Sequence, residues 1–141
     1  MTPSVGTLVD SNVLLDVLTE DEVWLEWSSG ELARAADQGP LFINAVIYAE
    51  VSVRFSRIED LDDALPGADY ERLALPWEAA FLAGKAFLNY RRNRGTRTST
   101  LPDFLIGAHA AVARLQLLTR DPFRFRIYFP TVARDPKVIG R

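Results

Sequence analysis

The stretch "VDSNVLLD", residues 9–16, brings an acid to the point where a strand ends and a helix begins. The apolar segment Val5–Asp10 predicts a buried strand, and Asn12–Leu18 predicts a short helix directly after it. Asp10 is a good helix N-cap, which is one explanation of its position. The alternative is a site residue, because α/β sheets bind ligands at the carboxyl ends of their strands. The other acids of the chain are needed to distinguish the two.

The chain has 141 residues, no cysteine and a single histidine. This length and a hydrophobic share of 48% predict one globular domain spanning residues 1–141. Disulfides, thiolate metal sites and histidine-rich zinc sites are excluded, so any metal must be held by oxygen. The sequence contains no apolar window of about 18 residues and no signal peptide pattern, and we therefore expect a cytoplasmic protein with no membrane segment.

Short apolar segments alternate with helical periodicity along the chain. After the first strand, strands are predicted at Leu41–Asn44, in "ERLAL" and at the start of "QLLTRD", with "IYFPTV" as a candidate for a fifth. Strands separated by helices predict the α/β class, with a mainly parallel central sheet of four to five strands flanked by helices. The predicted helices after the first are Glu22–Gln38, Ala45–Phe55, Arg57–Leu65, Trp77–Arg94 and Leu101–Leu115.

The net charge of −3 conceals two halves of opposite charge. Residues 1–84 hold 16 acidic and 4 basic residues, whereas residues 85–141 hold 3 acidic and 12 basic residues. Two interpretations follow: the basic half binds phosphate, or the two halves simply pack against each other through complementary charge.

Two acids lie at helix positions that the pattern predicts to face inward. Glu50 has Val46 and Val53 at helical spacing, which puts a carboxylate on an apolar stripe unless its side chain reaches solvent at the edge. Asp103 lies in the first turn of the last predicted helix, where an acid favours the helix dipole. Its neighbours at helical spacing include Gly107, a small residue that would let this helix approach the sheet closely.

Asp121 follows the fourth predicted strand, either as a turn residue before Pro122 or as a fourth acid at the carboxyl ends of the strands. If it converges with Asp10, Glu50 and Asp103, the four carboxylates repel one another unless a hard cation lies among them. Mg²⁺ or Mn²⁺ suits such an oxygen-only site. A metal held in this way can activate a water molecule and stabilise the charge on a phosphodiester under attack.

These segments resemble the PIN-domain ribonucleases, and most of all the VapC-type toxins of bacterial and archaeal toxin–antitoxin pairs. The resemblance is carried by "VDSNVLLD", "NAVIYAEVS", "LPDFLIGAHA" and "LLTRD", which hold the four acids in order over nearly the whole chain. It implies a central parallel sheet, an acidic pocket that binds Mg²⁺ or Mn²⁺, and metal-dependent cleavage of RNA.

The resemblance also implies partners and roles. Family members commonly form homodimers and are inhibited by a small VapB-like antitoxin, whose carboxyl-terminal segment lies across the active-site groove and often directs an arginine at the acids. Asp10 and Asp103 are expected to contact the metal directly, and Asp121 and Glu50 directly or through water. The implied catalytic acids are Asp10, Glu50, Asp103 and Asp121, with Asn12 and Thr119 as polar support.

A basic segment leads directly to Asp103. From Lys85 to Arg97 there are five basic residues and no acid, and arginines beside a metal site contact RNA phosphates without reading sequence. Tyr90 is a candidate for stacking on an unpaired base. The alternative is a solvated helix end, where cations favour the dipole. The predicted RNA-binding residues are Arg91, Arg92, Arg94 and Arg97.

Several other residues receive structural interpretations. His109, among alanines, is predicted to be a structural histidine. Asp16 is interpreted as a surface residue or as a support of the site. Arg120, next to the fourth acid, is interpreted as an RNA contact or equally as a partner of the acidic half or of an antitoxin. Helical spacing predicts a core or dimer-interface position for Trp24, Trp27, Phe81 and Phe87.

Other functions remain to be weighed against an RNA-cleaving toxin. An aspartyl-phosphate phosphatase needs a second aspartate at the position of Asn12, and a receiver domain needs adjacent acids near the first strand end. Both are disfavoured. A housekeeping PIN nuclease of RNA processing, or a catalytically silent PIN-like module that binds RNA or protein, stays open. Pro122 departs from the more polar residue that many toxins carry after the fourth acid.

Overall fold

Four short strands and six helices make up the described part of the chain. The computed structural model describes residues 6–93, 99–122, 125 and 127–130. The strands are β1 (Thr7–Val9), β2 (Leu41–Asn44), β3 (Glu71–Leu73) and β4 (Gln116–Leu118). The helices are α1 (Ser11–Leu18), α2 (Leu25–Gln38), α3 (Ala45–Ser52), α4 (Ile58–Ala64), α5 (Trp77–Arg92) and α6 (Leu101–Ala113). In these ranges, no helix combines the length and apolar character needed to cross a membrane.

The sheet has the order β3-β2-β1-β4, and every strand pair is parallel. Leu8 of β1 is paired with Phe42 of β2 on one side and with Leu117 of β4 on the other. The chain passes outward from β1 to β3 and then crosses to the opposite edge for β4. The carboxyl ends of β1 and β4 therefore form the switch point at which open α/β sheets bind ligands. The predicted α/β class is confirmed, with an all-parallel sheet of four strands.

The core is built around β1, which lies between β2 and β4 in the sheet and is fully buried. Thr7, Leu8 and Val9 are each 0% exposed. Strands of a parallel sheet that is covered by helices are apolar throughout, which explains why this segment lacks polar–apolar alternation. Helices contribute buried residues such as Ile47 of α3 and Ile106 of α6. This packing fixes the end of β1, from which Asp10 projects.

Helix boundaries differ from the sequence prediction where side chains hydrogen-bond to the backbone. Asp21 Oδ1 accepts the N–H groups of Val23 and Trp24, both at 2.9 Å, so this segment forms a turn and α2 begins at Leu25 instead of Glu22. α3 and α5 end three and two residues earlier than predicted. Arg94, the predicted end of α5, lies outside the described residues.

The segment after β4 packs against α6. Residues 127–130 are turn and irregular structure, so a fifth strand is wrong for them, while residues 131 and 132 lie outside the described part. Phe125 and Phe129 are 1% and 3% exposed and lie against Gly107, where an added Cβ would be 2.5 Å from the Phe129 ring. Gly107 therefore admits these rings, whereas the sequence interpretation had it approach the sheet.

Candidate active site at the carboxyl edge of the sheet

Asp10 lies at the switch point and is 6% exposed. Its Oδ1 accepts the N–H of Ser11 at 2.8 Å, and its Oδ2 accepts the hydroxyl of Thr119 at 2.8 Å. The backbone N–H of Asp10 donates to the carbonyl of Leu118 at 2.9 Å. Asp10 is thus the N-cap of α1 and, at the same time, the residue that joins the ends of β1 and β4.

The pKa of the Asp10 carboxyl is raised from 3.8 to about 6. Burial is the largest cause, the negative charges of Glu50 and Asp103 raise it further, and the hydrogen bonds from Thr119 and Ser11 oppose the rise. The fold therefore places Glu50 and Asp103 close enough to Asp10 for their charges to act on its carboxyl. A carboxyl with a raised pKa at a ligand-binding edge is typical of functional sites.

Glu50 reaches this edge from α3. Its Oε1 accepts the hydroxyl of Ser11 at 2.7 Å. The apolar stripe predicted around Glu50 is wrong, because Val53 is 82% exposed and the buried face of α3 consists of Ile47 and Val51. Glu50 is partly buried beside that face, and Ser11 directs its carboxylate toward the start of α1.

Asp103 enters the site from the first turn of α6 and is 9% exposed. Its Oδ2 accepts the N–H of Thr100 at 3.0 Å and the hydroxyl of Thr100 at 3.2 Å, in a capping-box arrangement. Asp103 therefore stabilises the helix end, as one interpretation of the sequence held, and also adds its charge to the acidic group around Asp10.

Thr119 connects the polar residues of this edge and is 2% exposed. Besides donating to Asp10, its hydroxyl oxygen accepts the backbone N–H of Asp121 at 3.1 Å and the side-chain amide of Asn12 at 3.4 Å. Asp121 is joined to the site through its backbone. Thr119 therefore links Asp10, Asn12 and Asp121 at this edge.

The oxygen atoms at this edge are of the kinds that bind a hard cation. Carboxylate, hydroxyl and amide oxygens are the groups that Mg²⁺ and Mn²⁺ prefer. Asn12 Oδ1 is buried and has no hydrogen-bond partner within the described residues, which is an expensive state for an amide oxygen unless something binds it. No three His, Asp or Glu side chains of the described ranges are arranged to hold a metal ion by themselves. A cation here would therefore need water, Asn12 or Thr119 to complete its ligands.

Ser11 and the pair Asp16–Arg120 are polar residues whose roles the sequence interpretation missed or left open. Asp16 is 2% exposed, so its interpretation as a surface residue is wrong, and its carboxylate lies 2.8 Å from Nε of Arg120. A usable signal existed, since Asp16 has Leu14, Leu15, Val17 and Leu18 around it in an apolar helix. Ser11 carries no comparable signal, because serine after an N-cap is ordinary.

His109 is a structural histidine, as predicted. It is 1% exposed, and its Nδ1 lies 2.9 Å from the side-chain amide of Asn44, the residue that caps α3. Burial lowers the pKa of the imidazole, so His109 is neutral at physiological pH. It ties α6 to the end of β2 and leaves the proton chemistry of the site to the acids.

The basic segment is described only in part. Arg91 and Arg92 are exposed in the last turn of α5, and Arg94 and Arg97 lie outside the described residues. The interpretation of Tyr90 as a base-stacking residue is wrong. Its ring packs among Phe87, Phe104 and Tyr128, and its hydroxyl accepts the N–H of Ser99 at 3.0 Å.

The predicted aromatic groups fall into two environments. Trp24 and Trp27 pack edge to face at 5.8 Å, and Phe87 belongs to the cluster around Phe104, so these three have internal contacts. Phe81 is 68% exposed on α5, and its neighbour Trp77 is 89% exposed, so a core position is wrong for Phe81.

The fold and the site together define a class: an α/β domain with a parallel sheet and an acidic cluster at the switch point. The sequence profile described as "PIN domain" matches residues 7–128, and the chain belongs to the PIN-domain family. PIN domains are typically metal-dependent nucleases. A comparison with curated protein sequences finds no significant match.

Three solved structures with the same fold come from toxin–antitoxin complexes. VapBC2 from Rickettsia felis, solved bound to a DNA fragment from its promoter, matches with a TM-score of 0.68 and 14% identity over 91% of this chain and 96% of that chain. VapBC-1 from nontypeable Haemophilus influenzae matches with a TM-score of 0.66 and 17% identity over 86% of this chain and 91% of that chain. A toxin–antitoxin complex from Klebsiella pneumoniae matches with a TM-score of 0.56 and 20% identity over 84% of this chain and 89% of that chain. At these identities the likeness is one of fold.

Proposed function

We propose that this protein is a metal-dependent endoribonuclease that acts as the toxin of a type II toxin–antitoxin pair. The observation that carries the proposal is the grouping of Asp10, Glu50 and Asp103 at the switch point, where the pKa of Asp10 is raised to about 6. Membership of the PIN-domain family supports nuclease chemistry. The toxin–antitoxin complexes among the solved structures of this fold support the toxin role.

In this proposal Asp10 and Asp103 hold Mg²⁺ or Mn²⁺, and Asp121 and Glu50 contact it directly or through water. Bound metal supplies a Lewis acid that activates water and stabilises charge on the phosphodiester. Thr119 orients the Asp10 carboxylate, and Asn12 offers its unpaired Oδ1. Asp10 must lose its proton to bind a cation, so a pKa of about 6 predicts weak metal binding at pH 5 and full binding above pH 7.

The substrate is proposed to be RNA that lies along the basic segment. Arg91 and Arg92 are exposed at the end of α5, and α6, which carries Asp103 in its first turn, is the next helix along the chain. Arginines so placed would contact phosphates on either side of the acidic group without reading sequence. Arg94 and Arg97, which lie outside the described residues, complete the proposed RNA-binding set.

The proposed partners are a small VapB-like antitoxin and a second copy of the chain. An antitoxin arginine directed at the acids would replace the cation, since a guanidinium pairs well with carboxylates. The exposed side chains of Trp77, Phe81 and Leu88 share one face of α5, and an exposed apolar ridge is typical of a protein–protein contact. Sedimentation of the Phe81→Ser variant against the wild type tests whether this face supports a homodimer.

Two alternatives from the same fold differ in what they predict. A housekeeping PIN nuclease would cleave RNA in the same metal-dependent way but would have no neighbouring antitoxin gene. A silent binding module would bind RNA without cleaving it. The like charges of Glu50 and Asp103 beside the buried Asp10 favour a nuclease, because a module that only binds RNA gains nothing from a buried acid in such surroundings.

The deciding experiment compares the purified wild type with Asp103→Asn on mixed cellular RNA, with Mg²⁺, with Mn²⁺ and with chelator. Asp63→Asn is the matched control, because Asp63 is an exposed acid on α4. Asparagine retains a side-chain oxygen as an acceptor for Thr100, so the cap of α6 should survive the change.

We expect metal-dependent cleavage by the wild type and by Asp63→Asn. Cleavage by Asp103→Asn should be at least about a hundredfold slower, because loss of a residue that only orients a metal ligand already costs about 10–100-fold. RNA binding without cleavage by folded wild type under every metal condition would favour the silent module. Cleavage that continues in Asp103→Asn would remove Asp103 from the proposed site.

A further inference from the structure

Asp16 is a buried acid whose charge is paired by a single arginine. Its Oδ2 accepts the hydroxyl of Ser28 at 2.7 Å and Nε of Arg120 at 2.8 Å, and its Oδ1 accepts Nη2 of Arg120 at 3.1 Å. The guanidinium also lies 5.2 Å from the centre of the Trp24 ring. Residues from α1 and α2, and from the turn before α2, therefore hold one side chain of the segment that follows β4.

Arg120 lies between two residues of the proposed site. Thr119, before it, donates to Asp10 at 2.8 Å, and Asp121, after it, donates its backbone N–H to Thr119 at 3.1 Å. β4 ends at Leu118, so all three residues lie beyond the strand. A shift of the Arg120 backbone would move both the hydroxyl that orients Asp10 and the fourth acid.

We propose that Asp16 and Arg120 form a positioning pair that fixes residues 119–121 against α1, so that Thr119 meets Asp10 and Asp121 stays at the acidic group. A bidentate guanidinium–carboxylate contact fixes direction as well as distance. The position is enforced because any departure of Arg120 would leave the Asp16 charge buried and unpaired.

The guanidinium of Arg120 is fixed through two of its nitrogen atoms. Asp16 engages both Nε and Nη2 of this guanidinium and thereby holds it on the α1 side. That the pair positions residues 119–121 does not depend on the proposed function. The expectation that its loss weakens metal binding does rest on that function.

Three variants test the proposal. Arg120→Met keeps most of the side-chain length but removes the charge. Arg120→Lys keeps the charge but cannot form the two parallel hydrogen bonds of a guanidinium to a carboxylate. Arg72→Met is the matched control, because Arg72 also pairs with an aspartate, at 2.8 Å from Asp62, and also lies over an aromatic ring, 4.8 Å from the centre of Tyr48. Arg72 belongs to β3, on the opposite side of β1 from β4.

Two quantities are measured on each folded variant: the dissociation constant for Mn²⁺ by calorimetry, and the hydrogen-exchange rate of the Asp121 amide by NMR. Both Arg120 variants should bind Mn²⁺ about tenfold more weakly, at the lower end of the range for residues that orient metal ligands. They should also exchange the Asp121 amide faster, while Arg72→Met leaves both quantities within about twofold of the wild type.

The two measurements separate this proposal from the proposed function. If the wild type binds no Mn²⁺, the proposed function fails, and the exchange rate alone decides on positioning. Faster exchange at Asp121 in the Arg120 variants supports the pair, and wild-type exchange and affinity in folded Arg120→Met overturn it. Should Arg120→Met fail to fold, Arg120→Lys decides by the same two criteria.

Discussion

Asp10 is a residue whose ionisation opposes folding. Its pKa is about 6 in the folded chain against an ordinary 3.8, so the folded state holds the proton more tightly than the unfolded state between these pH values. The free energy of unfolding therefore falls as pH rises from 4 to 6. Above pH 6 the whole penalty of the buried charge is present, about 3 kcal/mol.

Replacing Asp10 by asparagine should stabilise the metal-free protein at neutral pH. Asparagine keeps an oxygen for Thr119 or Ser11 and remains a good N-cap, but it carries no charge. We expect Asp10→Asn to raise the free energy of unfolding by about 2–3 kcal/mol at pH 7.5 and to have almost no effect at pH 4. Urea denaturation in chelator at a series of pH values measures this difference.

The matched control for this change is again Asp63→Asn, an exposed position where the effect should stay within about 0.5 kcal/mol at every pH. A loss of stability on Asp10→Asn at pH 7.5 would mean that the hydrogen bonds of the carboxylate outweigh the penalty of its burial.

Bound metal should raise the free energy of unfolding of the wild type, whereas the buried charge of Asp10 lowers it. A cation that binds only the folded chain at a hundred times its dissociation constant adds about 2.7 kcal/mol. Mn²⁺ is therefore expected to raise the melting temperature of the wild type at pH 7.5, and to raise it little at pH 5, where Asp10 is protonated. The Asp10→Asn variant should lose this response, and a full response in that variant would contradict the proposed metal position.

The positions of Asp10 and Asp103 in the fold could be predicted because the signal is local: Asp10 ends an apolar strand and Asp103 opens an apolar helix. The ion pair between Asp16 and Arg120 could not be predicted in this way, because its partners are 104 positions apart and meet only when β4 pairs with β1. Tyr90 was misread for the same reason, since its ring is covered by residues of α6 and of the following segment.

Two helical glycines allow a test of packing at the scale of the element. At Gly107 of α6 an added Cβ would lie 2.5 Å from the buried Phe129 ring, whereas at Gly84 of α5 it would meet nothing within 4 Å. Alanine favours helix over glycine by about 1 kcal/mol at both positions. Overpacking at Gly107 costs about 1–3 kcal/mol and reverses that gain.

Gly107→Ala is thus expected to lower the free energy of unfolding by up to about 2 kcal/mol, and Gly84→Ala to raise it by up to about 1 kcal/mol. Thermal denaturation of the two variants side by side measures the difference. Equal stabilisation by both changes would show that the segment containing Phe125 and Phe129 yields easily to the new methyl group.

Elements were predicted better than their ends. β2 was predicted at its observed bounds, because Gly39 and Pro40 precede it and Asn44 caps the helix that follows. The start of α2 was missed because Asp21 satisfies two backbone N–H groups in a turn that hydrophobic periodicity does not register. The proposed fifth strand failed because its aromatic residues pack against α6 instead of pairing with an edge strand.

At the scale of the molecule, the opposite charge of the two halves predicts where RNA binds and how salt acts on it. Contact with single-stranded RNA at a number Z of phosphates lowers the logarithm of the affinity by about 0.7Z per tenfold rise in salt. The double variant Arg91→Ala/Arg92→Ala should reduce that slope by about 1.4 if both arginines contact phosphate. Filter binding at several salt concentrations, with Asp103→Asn as the background to prevent cleavage, measures the slope.

Arg34→Ala/Arg57→Ala is the control for charge alone. Both arginines lie in the acidic half, and each is paired with a nearby glutamate at the surface. Their removal changes the net charge by the same amount and should leave the slope unchanged. An equal loss of slope in both double variants would mean that RNA responds to overall charge and not to the end of α5.

The pairing of β4 with β1 also decides when the candidate site can form during synthesis of the chain. Until β4 has emerged and folded, Asp10 has neither the carbonyl of Leu118 nor the hydroxyl of Thr119 as a partner. A chain interrupted earlier carries Asp10, Glu50 and Asp103 but no frame to hold them together. Under the proposed function, a chain that ends before β4 should therefore not cleave RNA, because the edge that holds the acids is incomplete.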